Sequence, residues 1–177
     1  MRRDGGFSVR KAAAEDVNDI VRIQRAAVEK AWRKAIPGDF AVFLNEKFDP
    51  AVQRVKYLER VADPKIIILV VEKSDHVIGF CGVRPHGIEE APPGFDWQGN
   101  AFYLDPAFEG SGGSLILFSG LLDAVRERGA RSLVGWCLAD NRLARNFYAR
   151  RGGKIVQDAI APPEYSIAPH VAYGWQL

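Results

Sequence analysis

The sequence predicts one α/β (α+β) domain built on a mixed, mostly antiparallel sheet of about seven strands, with helices on both faces. Two observations carry this prediction. Helical and strand patterns alternate through most of the chain, whereas its end is rich in strands. In addition, 177 residues with 47% hydrophobic residues suit a single core and leave little room for a second domain. Residues 1–177 are therefore expected to form one domain, with residues 1–6 as a flexible N-terminus.

Strand and helix patterns alternate in the first half of the chain. An alternating segment comes first, an apolar stripe then indicates a long helix, and Asp49-Pro50 has the cap-and-proline pattern of a second helix start. This second helix is expected to bury Val52, Val55 and Leu58. The predicted elements are a strand over 7–10, helices over 16–33 and from 50, and strands over 65–72 and 77–83. Residues 33–48 and 85–100 are interpreted as loops.

The second half of the chain places a glycine-rich segment between a strand and a helix. A strand over 101–104 ends at Asp105-Pro106, and the glycine-rich segment runs from Glu109 to Ser114. The later elements are a helix over 115–129, a strand over 131–138, a short helix capped at 140–141 and ending at 151, and strands over 154–157 and 171–177.

Composition excludes several classes of protein. Twenty-four basic and 22 acidic side chains leave a net charge of +2, too balanced for a nucleic-acid-binding or membrane-surface protein. Cys81 and Cys137 lie in apolar runs and are expected to be buried free thiols. The histidines are scattered without metal-ligand spacing, so no metal is expected. Neither a signal peptide nor a transmembrane stretch is visible, and we expect a cytoplasmic protein.

The glycine-rich turn has the features of an anion site. Gly110, Gly112 and Gly113 lack a Cβ, so the backbone can turn sharply and approach a ligand closely. At a helix start, such a turn presents unpaired N–H groups and the positive end of the helix dipole, which favour a phosphate. The P-loop pattern fails because no lysine follows the glycines. The dinucleotide fingerprint fails because Leu115 stands where it needs glycine or alanine.

Two motifs resemble the GNAT superfamily of N-acetyltransferases. That family's acetyl-coenzyme A motif is [Q/R]-x-x-G-x-[G/A] after a strand end, and it is similar to F-Y-L-D-P at 102–106 followed by E-x-x-G-x-S at 109–114. A second family feature resembles N-x-x-A-x-x-x-Y at 141–148 followed by R-G at 151–152, and the first helix matches with A-W-R at 31–33. The resemblance covers nearly the whole chain and implies the acyl-CoA N-acyltransferase fold.

The resemblance also implies roles for these residues. The strands over 101–104 and 131–138 would diverge at their C-terminal ends, and the pantetheine arm of acetyl-CoA would bind beside Tyr103 and Leu104 like an added strand. Tyr148 would be the general acid that protonates the departing thiolate. The implied coenzyme-binding residues are Tyr103, Leu104, Glu109, Gly110, Ser111, Gly112, Gly113, Ser114, Asn141, Arg142 and Tyr148. The implied function is direct transfer of an acetyl group from acetyl-CoA to an amine.

Several of these residues also have a purely structural interpretation. Asn141 could be only a helix cap. Tyr148 could be a core aromatic, but Leu143 and Phe147 form an i,i+4 apolar pair on another face, which favours Tyr148 at the cleft. Trp32 is a candidate either for the acceptor pocket or for packing at the end of its helix. A non-catalytic acyl-CoA-binding module, an acyltransferase for a different acyl-CoA and a nucleotide-binding enzyme stay open as alternatives.

The sequence departs from the family pattern at three positions. Glu109 stands where the family has glutamine or arginine, and a carboxylate about 5 Å from a phosphate charge would cost roughly 1 to 3 kcal/mol. Arg142 and Arg145 would offset this cost by reaching the phosphates, as would an outward turn of Glu109. Ser114 replaces glycine or alanine, and its hydroxyl is expected to cap the helix. Gly153 replaces an aromatic residue, which weakens core packing.

The general base is harder to assign. An alkylammonium acceptor must lose a proton before attack, which costs about 4.6 kcal/mol at neutral pH. Many relatives place a glutamate where Ala101 stands here. The remaining candidates are His86, Glu89, Glu90 and Asp96, whose acidic members would also favour a cationic acceptor. The expected partner is a small-molecule or peptide amine, without nucleic acid or membrane, and a homodimer is left open.

Overall fold

A computed structural model describes residues 2–4, 6–36, 38–87, 92–160 and 168–177 of the chain. Its strands are β1 (Arg2–Asp4), β2 (Phe7–Lys11), β3 (Ile67–Lys73), β4 (His76–Pro85), β5 (Trp97–Leu104), β6 (Ser132–Leu138), β7 (Lys154–Ile160) and β8 (His170–Gln176). Its helices are α1 (Val17–Trp32), α2 (Phe40–Lys47), α3 (Pro50–Ala62), α4 (Gly113–Glu127) and α5 (Arg142–Arg150), with short 3-10 helices at Ala14–Asp16 and Pro106–Phe108.

The described strands form a single eight-stranded sheet in the order β1-β2-β3-β4-β5-β6-β8-β7. Neighbouring strands are antiparallel except for β5 and β6, which are parallel. The predicted fold class is therefore confirmed. The additional strand is β1, in which Arg2 lies opposite Val9 and Asp4 lies opposite Phe7. The sequence analysis expects a flexible N-terminus over residues 1–6, whereas the backbone of residues 2–4 pairs with β2.

Helices cover both faces of the sheet. Alternation along β3 sends Ile68 and Val70 into a cluster with α1 and α3, and Leu69 and Val71 into a cluster with α4 and α5. We name these the α1 face and the α4 face. A third apolar cluster joins the C-terminal half of α1 to α2 and to the end of β6. Because both faces of the central strands are covered, these strands carry long apolar runs, as the sequence indicated.

Helix α2 lies in a segment that the sequence analysis interpreted as a loop. The Asp39 carboxylate caps it and accepts hydrogen bonds from the amides of Ala41 and Val42 at 2.9 and 3.3 Å. The Phe43 ring stacks on Trp32 of α1, with ring centroids 6.1 Å apart. A helix of eight residues is too short to be stable by local propensity, so this contact with α1 is needed to hold it.

Helix α3 begins where the sequence predicted but buries a different stripe. Val52 and Val55 are 60% and 57% exposed, whereas Gln53 and Tyr57 are buried. The Tyr57 ring meets the ring of Phe80 in β4 edge-on, with centroids 5.4 Å apart. One large aromatic side chain thus sets the rotation of the helix. The predicted burial of Val52 and Val55 is wrong for this reason.

Candidate active site

The parallel strands β5 and β6 diverge toward their C-terminal ends. Their pairing covers residues 97–99 of β5 and 133–135 of β6, and it ends where Gly99 lies opposite Gly135. In the described part of the chain, the remaining residues of each strand, up to Leu104 and Leu138, do not pair with the other strand. The predicted divergence is confirmed, and it leaves a gap in the sheet.

The backbone groups that face this gap belong to Phe102 and Leu104. The Asp105 N–H donates to the Ile78 carbonyl of β4 at 2.8 Å. Because N–H directions alternate along a strand, the N–H groups of Leu104 and Phe102 point away from β4, toward the gap. Of the two residues expected to offer backbone groups to a pantetheine arm, Leu104 therefore faces the gap, whereas the Tyr103 peptide group faces β4.

The glycine-rich turn follows β5 and opens outward. Gly110 and Gly112 have φ angles of 77° and 93°, a conformation that L side chains rarely adopt. A Cβ placed on either of these glycines would have no neighbour within 4 Å. Gly113 is packed instead, since a Cβ there would lie 3.1 Å from Ile78 and 3.2 Å from Leu104. The turn therefore anchors on the core at Gly113 and leaves space around the two preceding glycines.

The amides of this turn have few protein acceptors. The Ser111 N–H donates to the Phe108 carbonyl at 3.1 Å, and the Gly113 N–H donates to the Ser111 hydroxyl at 3.3 Å. Within the described residues, the N–H groups of Gly110, Gly112 and Ser114 donate to no protein acceptor. Together with the N-terminal end of α4, these amides have the chemistry of an anion site.

The N-cap of α4 is Gly112, and no side chain caps the helix. The expectation that the Ser114 hydroxyl does so is wrong. Ser114 lies inside the first turn, one residue after the helix begins, where its side chain is past the capping position.

The Glu109 carboxylate is paired with a lysine. Its Oε2 atom lies 2.7 Å from the Lys30 Nζ atom at the end of α1. Arg142 is exposed at the start of α5, and Arg145 donates from Nη1 to the Ala139 carbonyl at 2.9 Å, next to the end of β6. The charge beside Glu109 thus comes from Lys30 and not from the two arginines. The sequence analysis missed Lys30 because 79 residues separate it from its partner.

Tyr148 lies on the α4 face, beneath the gap. It is 7% exposed and packs among the rings of Phe102, Phe118, Phe147, Tyr173 and Trp175. Burial raises the pKa of its phenol, and negative charge on the thiols of Cys137 and Cys81 would raise it further. The described residues provide no hydrogen-bond partner for its hydroxyl. The phenol is therefore protonated at neutral pH.

The packing of α5 differs from the expectation. Leu143 is 67% exposed, so it does not form a packed pair with Phe147. Phe147 instead packs in the same aromatic cluster as Tyr148, with ring centroids 5.8 Å apart. Asn141 caps the helix, because its Oδ1 atom accepts from the Ala144 N–H at 3.0 Å. This hydrogen bond agrees with the interpretation of Asn141 as a helix cap.

Gly153 leaves space for a ring from another strand. A Cβ on Gly153 would lie 2.7 Å from the Trp175 ring and 2.9 Å from the Tyr148 carbonyl. Trp175 is fixed there because its Nε1 atom donates to the Arg151 carbonyl at 3.0 Å. The weaker core packing expected from this glycine is therefore offset by an aromatic side chain of β8.

The α1 face contains buried polar side chains, and one of them lies at the end of β6. His170 stands opposite Leu138 of β6, is 3% exposed and donates from Nδ1 to the Ala168 carbonyl at 2.8 Å. Burial lowers its pKa, so the imidazole is neutral. The Trp32 ring lies edge-on to it, with centroids 5.6 Å apart. Gln24 of α1 is 7% exposed, and its buried Oε1 atom has no hydrogen-bond partner among the described residues.

The other candidates for the general base are not gathered at the gap. His86 and Asp96 flank the N-terminal end of β5, whose eight residues span about 25 Å. The His86 ring nitrogens lie 2.9 Å from Gln98 Oε1 and 3.0 Å from the Pro92 carbonyl. The Asp96 carboxylate accepts from the Arg131 N–H at 2.7 Å and helps to start β5 at Trp97, in a segment interpreted as a loop. His86 and Asp96 therefore lie at the end of β5 that is away from the gap, and their role toward the acceptor stays a prediction. Glu89 and Glu90 fall outside the described residues.

Thiol, metal and membrane chemistry add little to the site. Burial raises the pKa of Cys81 to about 12 and that of Cys137 to about 11, so both thiols are protonated at neutral pH. The described residues contain no cluster of side chains suited to a metal ion. Among the same residues, no helix has the length and apolar composition needed to cross a membrane.

Comparison with known proteins defines the class to which this fold and site belong. A model of the Acetyltransferase (GNAT) family matches residues 26–153. This match covers more than half of the 177 residues, and the chain therefore belongs to the GNAT family.

One curated relative is a mycothiol acetyltransferase from Nocardia farcinica, which is 34% identical over 107 residues. The aligned region covers 59% of this chain and 33% of that protein, so the chain spans about a third of the relative's length.

Solved structures share the fold over nearly the whole chain. PaiA N-acetyltransferase from Thermoplasma acidophilum, solved in complex with coenzyme A, superposes with a TM-score of 0.76 at 14% identity, covering 97% of this chain and 99% of that one. The putative acetyltransferase yncA from Salmonella typhimurium, solved with its cofactor acetyl-CoA, has a TM-score of 0.70 at 21% identity, with coverages of 98% and 95%. At such identities the likeness shows the fold alone.

Proposed function

We propose that this protein transfers an acetyl group from acetyl-CoA to an amine by direct attack. One observation carries the proposal: the gap between β5 and β6 and the open amides of the glycine-rich turn both lie at the C-terminal end of β5. An extended arm with a pyrophosphate at one end can use both features at once. Membership of the GNAT family supports acetyl-CoA as the ligand with this shape.

The coenzyme would bind through backbone groups. In the proposed arrangement, the pantetheine arm hydrogen-bonds to the gap-facing edge of β5 near Leu104, as an added strand does. The pyrophosphate then meets the N–H groups of residues 110–114 and the positive end of the α4 dipole. The open space around Gly110 and Gly112 supports this placement, because a Cβ at either position would meet no atom within 4 Å. Arg142, exposed at the start of α5, is a further proposed phosphate contact.

The reaction needs three groups in position. The neutral amine attacks the thioester carbonyl, negative charge develops on the carbonyl oxygen, and the positively charged nitrogen releases a proton to solvent. In the proposed mechanism, a gap-facing N–H group of β5 near Leu104 stabilises the charge on the oxygen. When the carbon–sulfur bond breaks, the Tyr148 hydroxyl donates its proton to the thiolate. The contact between the Tyr148 and Phe102 rings, with centroids 6.3 Å apart, supports this role because it places the phenol beneath the gap.

The acceptor amine is proposed to approach from the α1 face. The α4 face is filled with aromatic rings, whereas the α1 face carries buried polar groups, among them His170 opposite the end of β6. Trp32 is proposed as part of the wall of this pocket, next to His170. The Nocardia relative is named as a mycothiol acetyltransferase. That name supports acetyl transfer here and leaves the acceptor open between small-molecule and peptide amines.

The test is a calorimetric titration with acetyl-CoA, followed by a thiol-release assay against a panel of small amines and peptide N-termini. We expect micromolar binding and release of coenzyme A with at least one acceptor class. Absence of acetyl-CoA binding would overturn the proposal. Binding without turnover by any acceptor would favour a non-catalytic binding module. Tighter binding and faster turnover with a longer acyl-CoA would point to a different acyl donor.

A further inference from the structure

We infer that Lys30, in the last turn of α1, is a phosphate-binding cation of the coenzyme site and that Glu109 holds its ammonium group in place. The inference rests on the proposed function, because it assigns a side chain to the pyrophosphate of the coenzyme. It also accounts for the carboxylate at a position where the family motif has glutamine or arginine. The two residues together would act as one charge-compensated unit.

The contact between them lies beside the glycine-rich turn. Lys30 Nζ is 2.7 Å from Glu109 Oε2, and Glu109 directly precedes Gly110, whose surroundings are open. The side chains of Lys30 and Glu109 are 54% and 39% exposed. A ligand on the turn can therefore reach the ammonium group without displacing buried structure.

Helix α1 is tied to this loop at a second point. Arg22, Ala26 and Lys30 follow one another at intervals of four residues and share one face of α1. At the other end of this stripe, Arg22 Nη1 lies 2.6 Å from Asp105 Oδ2, at the start of the loop that leads to Glu109. Two ion pairs thus join the loop over 105–109 to α1, and the pair formed by Lys30 is the one beside the glycine-rich turn.

The ammonium group keeps donors for a ligand. It has three N–H groups, and Glu109 accepts one of them. Within the described residues, the other two donate to no protein acceptor. An exposed ion pair contributes only about 0 to 1 kcal/mol, so it does not compete strongly with a ligand. A pyrophosphate offers more charge and also binds the turn amides, and it can accept from Lys30 while Glu109 stays bound.

The inference makes a prediction that an ordinary surface ion pair does not. If Lys30 binds the phosphate, its removal has two effects: the cation is lost, and the Glu109 carboxylate is left beside the pyrophosphate without a partner. The loss of affinity must then be larger when residue 109 is glutamate than when it is glutamine. An ordinary surface ion pair predicts no effect on coenzyme affinity in either background.

The experiment is a double-mutant cycle with coenzyme A as the titrant. We expect Lys30→Met to weaken binding about tenfold and Glu109→Gln to tighten it about threefold. The double variant K30M/E109Q should bind about as tightly as the unsubstituted protein, whereas independent effects would leave it about threefold weaker. Arg22→Met is the matched control, since it breaks the other ion pair of the same stripe, and its affinity should stay within about twofold. Pantetheine, which lacks the phosphates, should bind to the unsubstituted protein and to Lys30→Met with equal affinity.

Each other outcome separates the inference from the proposed function. If the unsubstituted protein binds coenzyme A and Lys30→Met binds it equally well, the inference is overturned and the proposed function stands. An equal loss of affinity with glutamate and with glutamine at position 109 would mean that Glu109 does not act together with Lys30. If Lys30→Met also weakens pantetheine binding, Lys30 acts through the fold and not on a phosphate. If neither the unsubstituted protein nor Glu109→Gln binds coenzyme A, the proposed function itself fails.

Discussion

The two faces of the sheet differ most where β5 and β6 diverge. On the α4 face, rings pack against one another beneath the gap, and Tyr148 is buried among them with a protonated hydroxyl. On the α1 face, polar side chains are buried within apolar surroundings: His170 is neutral beside Trp32, and the Gln24 Oε1 atom has no partner. One face is thus filled with packed aromatic rings, whereas the other carries buried polar groups, and a buried polar group without a hydrogen bond reduces stability.

This difference suggests a division of labour. A proton donor must be protonated and correctly placed, and a packed aromatic cluster favours both conditions. A site for a polar acceptor needs hydrogen-bonding groups that the protein itself does not fully satisfy. The faces can therefore be tested separately, with activity as the readout on the α4 face and stability as the readout on the α1 face.

The largest effect is expected on the α4 face, from Tyr148→Phe. The hydroxyl makes no hydrogen bond to another described residue, so its removal should change the free energy of unfolding by less than about 1 kcal/mol. If the hydroxyl protonates the thiolate, kcat should fall roughly 10² to 10⁴-fold while coenzyme affinity stays constant. Thiol-release kinetics and calorimetry on the same preparation give both numbers.

Tyr173→Phe is the matched control for that experiment. Tyr173 belongs to the same cluster, with its ring centroid 5.6 Å from that of Tyr148, but its hydroxyl lies against Arg145. We expect its kcat to stay within about tenfold of the unsubstituted value, since it is not proposed to touch the reacting atoms. Unchanged kcat in Tyr148→Phe would remove Tyr148 from the mechanism. Equal losses in both variants would indicate that the cluster acts through packing.

The next effect compares the two ends of α4, the helix that covers this face. Gly112 precedes the helix and Gly129 follows it, with φ angles of 93° and 76°, and a Cβ on either would meet nothing within 4 Å. Substitution by alanine should therefore cost each position a similar amount of stability, about 1 kcal/mol. Only Gly112→Ala should weaken acetyl-CoA binding, by roughly tenfold, because only Gly112 belongs to the proposed anion site.

Equal coenzyme affinity in the two glycine variants would contradict the placement of the pyrophosphate on the turn. A larger loss of stability in Gly112→Ala than in Gly129→Ala would indicate instead that the conformation of the turn is important for the stability of the fold. Urea unfolding of both variants, run beside the titrations, distinguishes these outcomes.

The features that could be predicted from sequence are those set by local physics. The strand, the glycine-rich turn and the helix after it lie within one short stretch of chain, where glycine positions and apolar periodicity determine the backbone directly. The divergence of β5 and β6 also followed, because the family resemblance implied that they are neighbouring parallel strands. The same reasoning found the Asp49 cap of α3, whose carboxylate accepts from the Ala51 and Val52 amides at 2.9 and 3.0 Å.

What the sequence could not show depends on contacts between distant segments. The rotation of α3 is set by Tyr57 against Phe80, and α2 is held by Trp32, so neither follows from local periodicity. The partner of Glu109 is Lys30, which is distant from it in sequence. Leu143 shows that local spacing alone can mislead. Its i,i+4 apolar spacing with Phe147 predicts a packed pair, whereas the Leu143 side chain is 67% exposed.

On the α1 face, the pH dependence of stability tests the burial of His170. Because burial lowers its pKa in the folded protein, the unfolded chain takes up the proton first as the pH falls below 6.5, the ordinary value. Acid therefore favours unfolding, and the stability present above pH 6.5 is lost with a slope of at most about 1.4 kcal/mol per pH unit.

His170→Asn should remove that part of the pH dependence, since its amide can still donate to the Ala168 carbonyl but does not titrate. Urea unfolding between pH 5 and pH 8 measures it, and the readout is the difference between variant and unsubstituted protein, because carboxylates also titrate at the lower end. Parallel curves for the two proteins would mean that His170 binds its proton equally well in both states, contrary to its burial.

The smallest effect compares two buried glutamines of the α1 face. Gln24 Oε1 has no partner, whereas Gln53 Nε2 donates to the Lys47 carbonyl at 2.8 Å. Gln24→Leu should therefore raise the free energy of unfolding by about 1 kcal/mol, because it removes an unsatisfied group. Gln53→Leu should lower it by about 1 to 2 kcal/mol, because it leaves a carbonyl unpaired. If both variants are destabilised alike, the Gln24 amide has a hydrogen-bond partner in solution. The two faces would then differ in the shape of their side chains and not in the number of unsatisfied hydrogen-bonding groups.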